Sequence, residues 1–553
     1  MLRVTLALLL ALLGVQASAA PDPVADALGT RLQELESGQT VRVSGELIAA
    51  DRLLPEFYRR RGLQPAWLSA DLRAQLLDLV EASPSHGLDP SDYHAEALRK
   101  FQADGYLDPA SVADRDLLWS DALVRLVYHL HFGKTNPRDL YADWSFSRTL
   151  GRTDPVKALG ALISSSNLRE AVEGYAPRLP LYAYLRAALA QLQSIEKAGG
   201  WGSVPAGVTL KPGMHDVRVQ ALRERLAAGG DLRSAADSEP QLFDATLEAA
   251  VKQFQMRHGL DPDGAVGRST LQALNVPVPQ RIDQVRVNLE RLRWVAQDLK
   301  RDYLLVDIAG FSARLYLEGE VAWSSRVVVG RRYRNTPAFR AVLRSIVLNP
   351  TWTVPPTVLR EDIVPRVIAD RSYLEAHHMH VVDGAGREID SSMIDWRRYR
   401  TRAFPYRIVQ DPGPTNPLGA LKFDMPNRYG VYLHDTPAKQ LFERTERAFS
   451  SGCIRLETPR ELAVLLLDDP EQWSETALSA VIATGETRVL PMKRHVPVAA
   501  LYLTAEADQA GVTYFRPDLY GEDAQVAAAL AAPFRFAPVD RPRLKQSGAA
   551  PRV

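Results

Sequence analysis

The sequence predicts a multidomain α+β chain: a helical N-terminal region, a small three-helix module, and a β-rich C-terminal domain with an inserted segment. Three observations predict it. Apolar residues recur at helical spacing through residues 40–200. A second helical block at 213–277 follows the Gly/Pro/Ser-containing stretch from Gly200 to Pro212, which reads as a linker. After Arg301 the period switches to short β-rich runs broken by glycine and charge. A chain of 553 residues is long enough for several such cores.

The elements follow in order. Arg3 precedes the apolar run Val4–Val15, and Ala17-Ser18-Ala19 forms a small-residue cleavage site. A dozen apolar residues suit a signal-peptide core and are too few to span a bilayer, so residues 1–20 read as a signal peptide. No later run is apolar enough for a further transmembrane helix, which predicts a periplasmic protein. Leu72–Ala82 and Arg115–Phe132 carry helical patterns, with Pro84, Gly87, Pro90 and Pro109 marking turns. In the second block Val217–Leu226, Thr246–Leu260 and Ser269–Asn275 predict three helices. Val278–Leu299 reads as a long amphipathic helix. Strands are expected in YLLVDIA, FSARLYL, EVAWSSRVVVG, LRSIVLNP, FPYRIVQ, GALKFDM and GVYLHD, across a domain of 302–490. Thr458, Pro459 and Glu461 have the spacing of a capping box opening a helix. The polar, aromatic insertion 351–403 is too long for a hairpin loop and suggests a lid. Residues 538–553 have a disordered composition.

Charge and cysteine usage exclude several function classes. Sixty-seven basic side chains face sixty-six acidic ones, for a net charge of +1, which provides no overall attraction to nucleic acid. One cysteine, Cys453, rules out an intrachain disulfide framework, a multi-cysteine zinc site and an iron–sulfur cluster. Gly133-Lys134-Thr135 ends like a phosphate-binding P-loop, but Tyr128 stands where the loop needs glycine. Asp261-Pro262-Asp263-Gly264 begins like a calcium loop, but Gln272 replaces its terminal glutamate. His377, His378 and His380 raise a three-histidine zinc site, with no H-E-x-x-H string nearby; a solvated surface is the preferred reading. His86, His94, His129 and His131 read as packing and hydrogen-bonding residues. No cofactor and no metal ligand set is expected.

The chemistry concentrates in Tyr432–Glu457. A strand ends at His434, and Cys453 follows nineteen residues later in a Ser-Ser-Gly-Cys turn. A thiolate is the nucleophilic form of cysteine, and a nearby imidazole lowers the thiol pKa and shuttles its proton. Such a thiol is expected to alkylate fast below the ordinary value of about 8.5. Gly452 permits a tight turn with backbone N–H donation to an oxyanion. Arg455, two residues beyond Cys453, faces the same side if the chain is extended, where it favours thiolate or binds a substrate carboxylate. Asp435 follows His434 directly and so points to the opposite face, which argues against a Cys-His-Asp triad.

This segment resembles the catalytic motif of the L,D-transpeptidases of the YkuD family, in particular its large Gram-negative YcbB-like branch. The likeness extends to Asn349–Pro355 and Asn288–Trp294. The resemblance implies that Cys453 attacks the diaminopimelate carbonyl of a peptidoglycan tetrapeptide stem and expels D-Ala, with His434 as base, oriented by a backbone carbonyl. Ser451, Arg455 and Tyr432 match motif positions beside the thiol. A second stem's amine then gives a 3→3 cross-link. Residues 213–277 resemble a peptidoglycan-binding domain, through Ala249–Asn275. Residues 40–200 resemble the scaffold domain of the same branch, through Phe57–Trp67, His86–His94 and His129–Pro137. The segment 351–403 corresponds to its capping subdomain. Partners implied are peptidoglycan and cell-wall synthesis proteins, and the process is cell wall biogenesis and cell shape. The rival readings are a catalytically silent wall-binding scaffold and a serine transpeptidase built on Ser194-Ile195-Glu196-Lys197, whose companion boxes are missing from the sequence.

Overall fold

The computed structural model describes residues 22–536 apart from 104–106, 142, 150–152 and 237. The signal-peptide reading of 1–20 and the tail at 538–553 lie outside the described residues. Among the described residues no helix is long and apolar enough to cross a membrane. The chain divides into two compact units. One holds residues up to 83, 89–127 and 152–174; the other holds 84–88, 128–151 and everything from 175. The helical region expected at 40–200 is therefore shared between the two units.

The first unit is helical, with the helices Pro23–Glu36, Leu53–Arg60, Ala70–Glu81 and Leu168–Glu173 among its elements. Two buried carboxylates organise it. Asp116 accepts from the backbone N–H groups of Ala66 and Trp67 and from the Tyr58 hydroxyl. Asp121 accepts from the N–H groups of Ala49 and Ala50 and pairs with Arg125 and His94. Each buried charge is thus hydrogen-bonded, as its desolvation requires.

In the second unit the three predicted helices form at Arg218–Ala228, Ala245–Arg257 and Arg268–Leu274 around Leu222, Leu247, Val251, Phe254 and Leu274. Asp263 accepts from the Gln255 amide at 2.7 Å, so the DPDG sequence is an inter-helix turn tied to the preceding helix. The next helix, Val278–Val295, differs from expectation. It is buried around most of its circumference rather than amphipathic, and it ends in a short 3₁₀ turn, Ala296–Asp298. Its interior polar groups are satisfied by partners both near and far in sequence. Glu290 pairs with Arg293 at 2.8 Å and accepts from the Thr135 N–H and hydroxyl and from the Trp294 indole. The GKT string is thereby explained as a structural loop. Gly133 has φ +83°, and a Cβ there would meet the Glu290 carboxylate at 2.6 Å.

The β-rich domain is a closed sheet. Strand pairing runs Glu320–Gly330, Ile454–Leu456, Leu433–His434, Leu421–Asp424, Phe339–Leu348, Arg488–Leu501, Tyr303–Asp307 and Ser312–Leu317, which pairs back onto Glu320–Gly330. Inward side chains such as Leu304, Val306, Leu315, Val327, Leu343, Ile346, Phe423, Leu433 and Ile454 fill its core. Along Phe339–Leu348 the buried residues are 339, 341 and 343, then 346 and 348. The change of phase coincides with a bulge in the partner strand between Pro491 and Val496. That strand runs to Leu501, so the sheet continues past the expected limit of 490. The helix Pro459–Leu467 forms, but Thr458 does not cap it through its side chain. The Thr458 hydroxyl accepts from the Trp323 indole at 3.2 Å instead.

The insertion is a subdomain with its own core, including Val354, Ile363, Val367, Met379, Trp396 and Ile408. Its four-stranded sheet has the order Trp352–Thr353, Arg407–Gln410, Met379–Val382, Glu388–Ile389. Arg407–Gln410 pairs with two neighbours there and none in the closed sheet, so the insertion's sheet extends beyond 403. The three histidines diverge. His377 bonds the Tyr373 carbonyl and stacks on its ring, His380 pairs with Asp411, and His378 occupies a left-handed turn at φ +51°.

Candidate active site

The two segments carrying the expected site residues lie side by side. Leu433–His434 and Ile454–Leu456 pair in parallel, with His434 opposite Arg455 and the Ile454 N–H donating to the Tyr432 carbonyl. This register sets Cys453 beside Tyr432. Together they line an open cleft of about 410 Å³ that also includes Ser451, Leu418, Trp352, Arg366 and Tyr373. Sequence reasoning thus placed Cys453, His434, Ser451, Arg455 and Tyr432 at one site, and the structure brings all five to this cleft.

The Ser-Ser-Gly-Cys turn is held from within. Ser450, buried, donates its hydroxyl to the Cys453 carbonyl at 2.6 Å and accepts the Gly452 N–H at 3.1 Å. Gly452 adopts φ +113°, a conformation that excludes most side chains. Its N–H is engaged by Ser450, so the oxyanion-donor role expected of that group is not free in this state. The Gly452 carbonyl accepts from Thr336, whose hydroxyl in turn accepts the Gly330 N–H. Ser450 and Thr336 were not singled out from sequence, where a second serine in a turn carries no distinguishing mark.

The thiol's immediate partner is Tyr432, not the imidazole. Burial pushes the Cys453 thiol above its ordinary value, while the Tyr432 N–H and hydroxyl, then Arg455 and Lys422, favour the thiolate without overcoming burial. The expected lowered thiol pKa is therefore not the resting state. The Tyr432 phenol is itself held well above its usual range by burial and by the sulfur. His434 is buried and is pushed down to about 3, by burial first and by Arg455 second. It is neutral at physiological pH and able to accept a proton.

The His434 ring orientation matches the backbone-carbonyl expectation. Nδ1 hydrogen-bonds the Asp435 carbonyl at 2.5 Å. The Asp435 carboxylate faces elsewhere, accepting from the Ala420 N–H at 2.9 Å and from Lys439 at 2.7 Å. Gly419, at φ +59°, makes room for it, since a Cβ there would lie 2.5 Å from the carboxylate.

Arg455 is half-buried, and among the described residues its Nε has no hydrogen-bond partner. A guanidinium with spare donors beside the thiol is suited to a carboxylate arriving in the cleft. Two further residues contribute, of which Lys422 was not singled out from sequence. Lys422 lies 4.8 Å from the centre of the Tyr432 ring and opposite His434 in the sheet register. Trp352, from the insertion, donates to the Tyr432 hydroxyl. Lys422 belongs to a strand whose sequence looks like ordinary core pattern, and only pairing brings it to the thiol.

The insertion also reaches the turn through charge. Arg334 donates to Asp362 and Glu361 at 2.6 Å each, and to the Ser451 hydroxyl at 2.9 Å. Of the insertion's aromatic and basic residues, Trp352, Tyr373 and Arg366 line the cleft. Trp396 is buried in the subdomain core, stacked on Phe404, and Arg360 pairs with Glu361.

Comparison with known proteins gives three family matches. Residues 52–189 match a family described as “Scaffold domain”, 215–274 one described as “Putative peptidoglycan binding domain”, and 301–488 the YkuD family, described as “L,D-transpeptidase catalytic domain”. A curated relative, a “Putative L,D-transpeptidase” of Haemophilus influenzae, is 35% identical over 264 residues, covering 47% of this chain and 53% of the relative. The chain thus spans about half the length of that relative. Among solved structures, an L,D-transpeptidase from Mycobacterium smegmatis is 13% identical, covering 36% of this chain and 58% of that one, with a TM-score of 0.18. An L,D-transpeptidase from Xylanimonas cellulosilytica is 14% identical, covering 54% and 99%, with a TM-score of 0.14. Scores this low carry no argument about structure. Residues 301–488 belong to the YkuD family of L,D-transpeptidase catalytic domains, and the chain joins that domain to a Scaffold domain and a domain of the peptidoglycan-binding type.

Proposed function

We propose that this chain is an exported cysteine L,D-transpeptidase of the periplasm that acts on peptidoglycan tetrapeptide stems. The observation that carries the reading is Cys453 in a constrained turn at an open cleft, with Tyr432 on its sulfur and His434 and Arg455 paired on adjacent strands. Cys453 attacks the diaminopimelate carbonyl while its proton passes to neutral His434, and the amine of D-Ala leaves with that proton. A thioester remains on the enzyme. The side-chain amine of a second stem then attacks it, giving a 3→3 cross-link and regenerating the thiol.

Because the resting thiol is protonated and the imidazole is neutral, proton transfer accompanies attack rather than preceding it. The stem carboxylate paired with Arg455 is the natural means of positioning the donor. Wall binding by residues 213–277 places substrate near the enzyme, and cell wall biogenesis follows as the process served.

Intact-mass measurement after incubation with tetrapeptide muropeptides tests the reading. The expected result is an acyl adduct on Cys453 with release of D-Ala. No adduct and no D-Ala release from folded protein would favour the catalytically silent scaffold instead.

A further inference from the structure

A second concentration of charge lies away from Cys453, in a cavity of about 250 Å³. Arg225, Arg257 and Arg281 line it together with a single carboxylate, Asp231, and with Trp201 and Phe515. Arg257 spends its guanidinium on Asp231 in a two-pronged ion pair. Among the described residues the other two arginines have no carboxylate of their own. Arg225, 2% exposed, donates Nε to the Leu274 carbonyl at 2.7 Å and leaves Nη1 without a partner. Arg281, 7% exposed, donates to the Gln284 side chain and the Ala273 carbonyl and leaves Nε without a partner.

These guanidiniums are held in place. Arg225 lies 3.8 Å from the Trp201 ring centre and Arg281 4.5 Å from that of Phe515. Stacking of this kind fixes a guanidinium plane while leaving its edge free for an oxyanion. Gly229 supplies room beside them. Its φ of −86° is open to any residue, but a Cβ would lie 2.8 Å from Arg225 Nη1 and 3.3 Å from Arg257 Nη2. The glycine serves space rather than conformation.

Three guanidiniums, two of them buried, against one lining carboxylate are electrostatically incomplete. Burial and the neighbouring guanidiniums pull Arg225 down to about 10 and Arg281 down to about 9, and they hold His258 well below its usual value. A negatively charged guest offsets the repulsion among these guanidiniums. A cavity of this size is just below the ~300–1,000 Å³ of drug-sized pockets, which suits a single phosphate or one peptide terminus.

We propose that this cavity is an oxyanion-binding site in which Arg225, Arg257 and Arg281 clasp the phosphate or carboxylate group of a small ligand. The site is independent of the transpeptidase reading and stands or falls without it.

The test uses the full chain at constant ionic strength, with chloride exchanged for inorganic phosphate in one arm and for N-acetyl-D-alanine in the other. Thermal midpoint and, for phosphate, the phosphorus NMR line width are followed. Saturable binding that raises the midpoint is expected in at least one arm, and the responding arm identifies the group as phosphate or carboxylate. Arg281→Gln is expected to weaken binding about tenfold or more, the loss typical of a charge-assisted hydrogen bond. Gly229→Ala, which crowds the cradle without removing charge, is expected to weaken it likewise and decides the matter if Arg281→Gln does not fold. No saturable response in either arm up to roughly 10 mM overturns the proposal. So does native affinity in a folded Arg281→Gln or in Gly229→Ala.

Discussion

A serine at position 453 leaves the turn intact, because its hydrogen bonds run through the Cys453 carbonyl and the Gly452 N–H rather than the sulfur. Cys453→Ser is therefore expected to unfold like the native protein yet lose acylation by about three orders of magnitude or more, as removal of a nucleophile does. Intact mass and urea unfolding check the two halves separately. His434 and Asp435 are adjacent in sequence but differ in consequence. Asp435→Asn keeps the acceptor for the Ala420 N–H and loses a partly exposed pair with Lys439, worth about 0.2–1 kcal/mol. It should retain kcat/KM within about tenfold, whereas His434→Ala should abolish acylation; equal loss in two folded variants would require a carboxylate triad. His434 also has a pH signature. Its native value of about 3 lies below the ordinary 6.5, so protons bind the unfolded chain in preference. Stability from this group is full above pH 6.5 and is lost as pH falls towards 3, at on the order of 1 kcal/mol per pH unit. Urea midpoints at pH 7 and pH 5 should show this loss in the native protein and less of it in His434→Ala.

The insertion carries the argument at the scale of the element. It touches the candidate site at two places, Trp352 on the Tyr432 hydroxyl and the Asp362–Glu361 pair on Arg334, which also holds Ser451. An element so connected can exclude water from a thioester. Arg334→Ala releases the charged contact without entering the subdomain core. It is expected to raise the hydrolysed fraction of product severalfold over cross-linked product, measured by chromatography of muropeptides, and an unchanged product ratio would reduce the insertion to a rigid decoration. Sequence showed that this segment was an insertion with aromatic and basic residues, but not which of them face the cleft. Trp396 and Trp352 look alike in sequence; one is the subdomain's core and the other reaches the active-site tyrosine. The FPYRIVQ segment was legible as a strand and not as a member of a separate sheet, because alternation reports a half-buried strand and never its partner. Thr458 failed as a cap for a related reason, since the distant Trp323 took its hydroxyl.

At the scale of the molecule, the motif at His434 and Cys453 was readable because its residues are close in sequence, while the buried polar interior was not. The helix Val278–Val295 has the polar sequence of a surface helix, yet it carries Asn288, Glu290, Arg291 and Arg293 inside the second unit. Periodicity assigns charged residues to solvent, and only partners distant in sequence make their burial possible. Glu290 shows how. It is fully buried, neutralises Arg293, and accepts from Thr135, some 155 residues earlier, so it fastens the 128–151 segment to this helix. Glu290→Gln keeps the shape and a carbonyl acceptor but leaves the Arg293 cation without its carboxylate. Breaking one half of a buried pair costs about 3–5 kcal/mol, far more than the pair's net worth, because the remaining charge stays desolvated. The expected result is a large drop in the urea midpoint of the second unit, with acylation of Cys453 per folded molecule close to native, since Glu290 does not line the catalytic cleft. Arg293→Met in the same background should recover part of the loss by removing the stranded charge. An unfolding free energy within about 0.5 kcal/mol of native in Glu290→Gln alone, the range of ordinary surface changes, would mean that the backbone and indole contacts hold this junction and the ion pair does not.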